Sequence, residues 1–164
     1  MAILSPRKRG LRMAHTVVEM LCDLVRVDSE SGNERGFMEY LSSWLAREVG
    51  AECDFDAYGN LIGRVSAKDS KAAAIILGAH GDTVRPGCGI EPRVVDGVVR
   101  SSGTTILGAD DKAGIAEIVY AIQTARRRPP VEIVITVGEE VGLHGARHLD
   151  LTKLCAKRAF IVDG

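Results

Sequence analysis

Two things are missing from this sequence that would place it at a membrane or in an oxidising compartment: a long apolar run and a set of paired cysteines. No stretch approaches the roughly 18 apolar residues that a membrane span needs, and the opening MAILSPRKRGLRM lacks the apolar stretch, about 7–15 residues, of a signal peptide. Cys22, Cys53, Cys88 and Cys155 form no C-x-x-C pair and no framework spacing. They read as reduced thiols of a cytoplasmic protein, and they offer no structural zinc knuckle. An excess of one charge is missing too. Lys and Arg total 21 against 22 Asp and Glu, which gives no electrostatic case for a nucleic-acid partner. Neither G-x-G-x-x-G nor a complete phosphate loop occurs. Gly103-Thr104-Thr105-Ile106-Leu107-Gly108 imitates half of such a loop, but Ala109 and Asp110 stand where Lys and Ser or Thr are required, and acids repel phosphate. The chain also has no internal repeat, linker or low-complexity tract.

What is present is a chain of 164 residues, 46% hydrophobic, long enough for one domain with a real core. Residues 1–12 read as a basic extension, either an appended segment or a start placed too early with Met13 as the true one. The domain occupies 13–164. Val17, Val18, Leu21, Leu24 and Val25 share one face at helical spacing, which predicts a helix over 15–27. Ser31 precedes Glu34 by three residues, a capping-box pattern, and Phe37, Met38, Leu41, Trp44 and Leu45 continue a core-facing stripe until Gly50 stops it.

After Gly50 the texture turns to strands. Residues 52–57 and 61–66 form a hairpin about Tyr58-Gly59-Asn60. The apolar run 72–79 predicts a fully buried strand, and 93–100 places Asp96-Gly97 between two Val-rich halves, a strong hairpin signal. A helix is predicted over 112–127, stopped by Pro129-Pro130, then a strand over 131–137, a short helix over 143–149 and a last buried strand over 159–162. Strands alternating with helices indicate an α/β fold: helices layered around a mostly parallel mixed sheet, with a small hairpin element.

Six acids lie in or beside these apolar stretches, where carboxylates are expensive unless something cationic compensates them. His80 and Asp82 follow the 72–79 run, Asp110-Asp111 follow Thr105-Ile106-Leu107, Glu139-Glu140 follow 131–137, and Asp163 follows 159–162. The carboxyl edge of an open α/β sheet is where such groups meet, and this many carboxylates around one imidazole call for metal ions. In His80-x-Asp82 the two side chains point the same way if the strand continues. Asp82 can then accept one imidazole N–H and leave the other nitrogen for a metal, although a core histidine beside a turn aspartate also fits. Asp111 reads as the N-cap of the following helix. That leaves Asp110 as a carboxylate bridging two metals. Of the adjacent Glu139 and Glu140, one can hold a metal while the other moves a proton, though two solvated loop acids would look the same.

The segments GAHGDTVRPG, GTTILGADDKAGIAEI, ITVGEEVGLHGA and FIVDG, in this order and spacing, resemble the peptidase T-like tripeptide aminopeptidases. These belong with the co-catalytic zinc metallopeptidases that include aminoacylase and glutamate carboxypeptidase. The resemblance implies an enzyme that releases N-terminal residues from short peptides, with two divalent cations, Zn²⁺ or else Co²⁺ or Mn²⁺. It implies metal ligands at His80, Asp110 (bridging, with a cis peptide to Asp111), Glu140 and Asp163. Asp82 becomes the partner of His80, and Glu139 the general base. Aminoacylase or carboxypeptidase chemistry, or a non-catalytic metal-binding or interaction module, are the alternatives. The resembled enzymes continue into a lid and dimerisation domain and a return that supplies a second histidine ligand. The 164 residues are therefore expected to be an incomplete catalytic domain that binds metal weakly without turning over peptides, and to pair into homo-oligomers through an exposed sheet edge. His15, His144 and His148 are the only other histidines, and the last two read as surface residues at i, i+4.

Overall fold

A computed structural model of the chain describes residues 15–163. The basic extension read at 1–12 lies outside the described residues. In order, the elements are α1 (Val17–Val25), α2 (Arg35–Val49), β1 (Glu52–Phe55), β2 (Leu61–Val65), β3 (Ile75–His80), β4 (Pro92–Val95), β5 (Val98–Ser101), α3 (Ala109–Thr124), β6 (Val131–Thr136), α4 (His144–Arg147), a 3-10 turn (Leu151–Lys153) and β7 (Ala159–Ile161). Five strands form one mixed sheet in the order β1-β2-β6-β3-β7. Its β6, β3 and β7 run parallel, while β1 and β2 join antiparallel at the other side. The 52–66 hairpin is thus one edge of the main sheet, because β2, buried along nearly its whole length, pairs with β6 as well as with β1. The separate hairpin is β4–β5. Its turn residues Asp96 and Gly97 both have positive φ, as a two-residue hairpin turn requires.

The core sits between the sheet and α1, α2 and α3. Met20, Leu24, Phe37, Leu41, Trp44 and Leu45 from the first two helices meet Ile115 and Val119 of α3 and Ile133 and Ile135 of β6, all fully buried. Each such side chain contributes about 1.5–3 kcal/mol. The α2 stripe is the one read from its spacing; on α1, Met20 is buried and Val18 faces out.

Helix boundaries follow local chemistry that the periodicity did not resolve. A capping box does start a helix, but it is Thr16 with Glu19 at α1. The expected Ser31–Glu34 box does not form, since both side chains are drawn away by tertiary partners: Ser31 Oγ donates to Asp82 at 2.7 Å, and Glu34 accepts from the Gly138 amide at 3.0 Å. Gly50, left-handed at φ 66°, ends α2 as expected. Strand β7 is not buried. Phe160 is 57% and Ile161 66% exposed, because β7 pairs only with β3 and forms the outer edge of the sheet. The strand read from residue 72 as fully buried starts at Ile75, where pairing with Val131 begins, and its first half is only half-buried although β6 and β7 flank it on both sides.

Candidate metal centre

The parallel strands set the site. Register pairs His80 with Thr136 and Gly78 with Ile161, so β3, β6 and β7 all finish at one edge. His80 is the last residue of β3, Glu139-Glu140 lie three and four residues past β6, Asp163 two past β7, and Asp110-Asp111 open α3 beside them. This is the sheet edge where the sequence placed the site.

His80 is buried. Its Nδ1 lies 3.0 Å from the backbone carbonyl oxygen of Asp82 and 3.5 Å from Asp82 Oδ1. The direct acceptor is therefore the carbonyl, not the carboxylate expected from the i, i+2 spacing, because the chain turns after His80 and extended geometry stops. The consequence for the ring is the same: Nδ1–H is committed, and Nε2 faces the acids, 3.1 Å from Asp110 Oδ1 and 3.9 Å from Glu139 Oε2. Burial alone would push the imidazole pKa down. The neighbouring Asp82, Asp110 and Asp111 outweigh it and raise the value to about 9.

The carboxylate of Asp82, wholly buried, is a hub. It accepts from Ser31 Oγ at 2.7 Å and from the amides of Glu139 and Glu140 at 2.8 and 3.2 Å. Burial would raise its pKa, but His80, Ser31 and those amides hold it down at about 2.

The other acids divide about His80. Ligand atoms of His80, Asp111 and Asp163 lie within 4.8 Å of one another, and so do those of His80, Glu139 and Glu140. Asp110, two-thirds exposed, touches Nε2 of His80 but belongs to neither group of three. The Asp110–Asp111 peptide is cis. Asp111 does cap α3, its Oδ1 accepting from the Gly114 amide at 3.1 Å; Asp110 and Asp111 are themselves non-helical. Yet its buried carboxyl also stands in the first group, a role the N-cap reading missed. Its neighbour's stronger match to a bridging carboxylate had absorbed the signal. Burial and then the charge of Asp163 push the Asp111 pKa up to about 7, against the opposing pull of His80. Burial and the nearby Asp110 raise that of Glu140.

Among the described residues no Lys or Arg pairs with Asp82, Asp110, Asp111, Glu139, Glu140 or Asp163. Lys112, next in sequence, turns inward instead: its ammonium donates to the Val27 carbonyl at 2.7 Å and lies 4.5 Å over the Phe37 ring. Burial pushes its pKa down to about 8. A cavity of about 600 Å³ opens beside Asp110, Asp111, Gly114, Ile161 and Asp163. One imidazole nitrogen and several carboxylates without a basic partner fit a small divalent cation that accepts nitrogen and oxygen ligands. Among the described residues no second histidine joins these groups. His144 and His148 are exposed, and His148 stacks on Tyr58 with ring centroids 4.4 Å apart.

The chain is similar to known peptidases. The profile described as Peptidase family M28 matches residues 60–161, most of the chain and all of the site except Asp163. Protein YqjE of Bacillus subtilis is 37% identical over 157 residues, covering 90% of this chain and 42% of its own length. Peptidase T of Vibrio cholerae is 34% identical over 116 residues, 66% of this chain and 28% of that protein. The crystal structure of aminopeptidase PepT from Bacillus cereus superposes with a TM-score of 0.84 at 38% identity, covering 90% of this chain and 43% of that one. The chain thus spans less than half the length of these relatives. With the sheet, its acid-lined edge and the matched profile taken together, the chain belongs to Peptidase family M28.

Proposed function

We propose that this chain is the metal-binding edge of an aminopeptidase that hydrolyses peptide bonds and releases N-terminal residues from short peptides. The observation that carries this reading is the convergence of His80, Asp110, Asp111, Glu139, Glu140 and Asp163 on the parallel sheet edge, in a chain similar to peptidase T. His80, Asp110, Glu140 and Asp163 are the proposed ligands of two divalent cations, Zn²⁺ or else Co²⁺ or Mn²⁺. Asp111 is close enough to His80 and Asp163 to take part. When bound, such ions act as Lewis acids toward a peptide carbonyl and make water more acidic.

The protein's own groups do the rest. Asp82 fixes the amides of Glu139 and Glu140 while its backbone carbonyl orients His80. Glu139, half-buried with His80 Nε2 at 3.9 Å and, among the described residues, no Lys or Arg on its carboxylate, is the proposed general base: it takes a proton from the attacking water and delivers it to the leaving amine. Among the described residues His80 is the one imidazole in either group of ligand candidates, and we propose that peptide turnover needs another beside it. The four free thiols support a cytoplasmic setting, and the exposed β7 edge supports pairing between copies. Among the described residues no helix is long and apolar enough to cross a membrane.

The test is a calorimetric titration with Zn²⁺ and with Co²⁺. Two-site binding, abolished by Asp110→Ala, is expected; absence of binding would leave only an interaction module. Chelator-sensitive hydrolysis of a tripeptide by the 164-residue chain would overturn the need for another ligand. Release of the acyl group from an N-acetylated amino acid, in preference to attack on a free-amine tripeptide, would favour aminoacylase chemistry.

A further inference from the structure

Glu139 and Glu140 ride on a loop from Val137 to Gly145 that lies outside the strand ladder, with positive φ at Gly138, Gly142 and Leu143. Its own backbone shapes it, the His144 amide donating to the Gly138 carbonyl at 3.0 Å and those of Gly142 and Leu143 to the Glu139 carbonyl at 2.9 and 2.8 Å, but these bonds do not tie the loop to the rest of the fold. One side chain outside the loop reaches both of its ends. Asn60, fully buried just before β2, accepts from the Val137 amide at 3.2 Å through Oδ1 and donates from Nδ2 to the Gly145 carbonyl at 3.0 Å. The Gly145 amide closes back onto the Val137 carbonyl at 2.8 Å, completing a hydrogen-bonded neck.

The orientation of that amide is fixed. Nδ2 also donates to Asp56 Oδ2 at 2.8 Å, while Asp56 Oδ1 takes the amides of Tyr58, Gly59 and Asn60, each at 2.9 Å. A flipped Asn60 would set its NH₂ against the Val137 N–H and its oxygen against two acceptors. The neck also explains glycine at 145, where a Cβ would overlap Asn60 Oδ1 and the Val137 backbone.

We infer that Asn60 is a positioning residue for Glu139 and Glu140. By pinning the neck of their loop it keeps both carboxylates within ligand distance of His80, without itself touching a cation or substrate. The inference rests on the proposed metal site. It also assigns Asn60 to only one of the two ligand groups, since Asp111 and Asp163 are held by α3 and β7. A merely structural asparagine would show no such preference.

The experiment is zinc titration of Asn60→Asp and Asn60→Ala in the 164-residue chain, each with a thermal melt, using Glu140→Gln and Asp163→Asn to assign the two binding steps. The step lost in Glu140→Gln is expected to weaken about 10–100-fold in the Asn60 variants, the usual scale for groups that orient ligands, while the step lost in Asp163→Asn keeps its affinity. Unchanged steps in a folded variant overturn the inference, as does an equal loss at both steps that tracks melting temperature. Where neither variant folds, amide exchange in the wild type decides. The Val137 N–H is expected to be protected like the amides of β6, and exchange as fast as an exposed loop would overturn the clamp. A wild type that takes up no zinc overturns the metal reading and this inference with it; variants matching a zinc-binding wild type overturn this inference alone.

Discussion

On one side of His80 stands Asp111, buried in the first turn of α3, where the next residue, Lys112, turns inward over Phe37 of the core. On the other, Glu139 and Glu140 hang on a loop held at separate points by Asp82, Glu34 and Asn60. The first flank is placed by packing, the second by hydrogen bonds. Packing tolerates small displacements of a side chain but keeps the backbone where the core puts it. A loop clamped by buried polar contacts fails when one contact is lost, because each orphaned amide carries its own desolvation cost. Each flank also has a glycine with no room for a methyl group: Gly114 against Asp111 and the Val162 carbonyl, Gly145 against Asn60 and Val137.

The largest effect is expected from the residue that serves both flanks. Asp82→Ala removes the acceptor of the Glu139 and Glu140 amides and of Ser31, and leaves His80 beside an empty volume. Stability is expected to fall by about 3–5 kcal/mol, as when one partner of a buried pair is removed. Zinc binding should be lost at the Glu139–Glu140 group and weakened at the other, where His80 loses packing but keeps the backbone carbonyl that orients it. Urea melts and calorimetry measure the two, and a variant that keeps one intact binding step would mean that the flanks are not joined through Asp82.

The glycines break the flanks one at a time. Gly145→Ala drives a methyl group into backbone on the Val137 side and into a buried amide on the other, neither of which can swing away. The upper part of the overpacking range, about 2–3 kcal/mol, is expected, with loss of the Glu140-dependent step alone. Gly114→Ala meets the Asp111 carboxylate and the Val162 backbone carbonyl, whose residue is tied to β3 by its amide bond to Gly78. A cost of similar size, about 1–3 kcal/mol, is expected, with the Asp163-dependent step weakened. Loss of the same step in both variants would erase the distinction between the flanks.

The sequence placed residues of both flanks better than the contacts that hold them. Strand ends were legible because apolar runs of strand length in an α/β pattern put their C-terminal residues on one edge, and His80, Asp110, Glu139, Glu140 and Asp163 follow directly. The helix stripe Phe37 to Leu45 was legible for the same reason of period. What could not be read was every contact between distant segments that competes with a local rule. Ser31 and Glu34 have the spacing of a cap and spend it on Asp82 and Gly138 instead. Asn60 looked like a turn residue and bridges 85 positions to Gly145. Lys112 follows two acids and yet turns away from both, since a cationic stem laid over Phe37 depends on where α2 packs. The exposure of β7 was equally hidden, because an edge strand and a central one share the same apolar letters.

Acid sharpens the comparison most gently. Asp56 anchors Asn60 and also takes the Asp150 amide at 3.2 Å. Burial would raise its pKa, but the hydrogen bonds from Asn60, Asp150 and Tyr58 outweigh it and hold the carboxyl below its usual range. The folded chain therefore binds this proton less tightly than the unfolded chain. The stability Asp56 contributes is present above the unfolded value near pH 4 and is lost as pH falls through the depressed folded value. Asp111 in the metal-free chain has the opposite sign: with its pKa raised to about 7, its contribution is present below the unfolded value and is lost as pH rises through 7. In Asp56→Asn an NH₂ group must face either the Asn60 and Asp150 donors or the three turn amides. A loss of about 1–3 kcal/mol at neutral pH is expected from the unmatched donors. As pH falls below 4 the gap in melting temperature between wild type and variant should narrow, since the unfolded chain takes up the Asp56 proton more readily than the folded one. Melting curves that stay parallel down to pH 3 would show that Asp56 binds its proton equally in both states, and the clamp on the Glu139–Glu140 loop would then owe nothing to its charge.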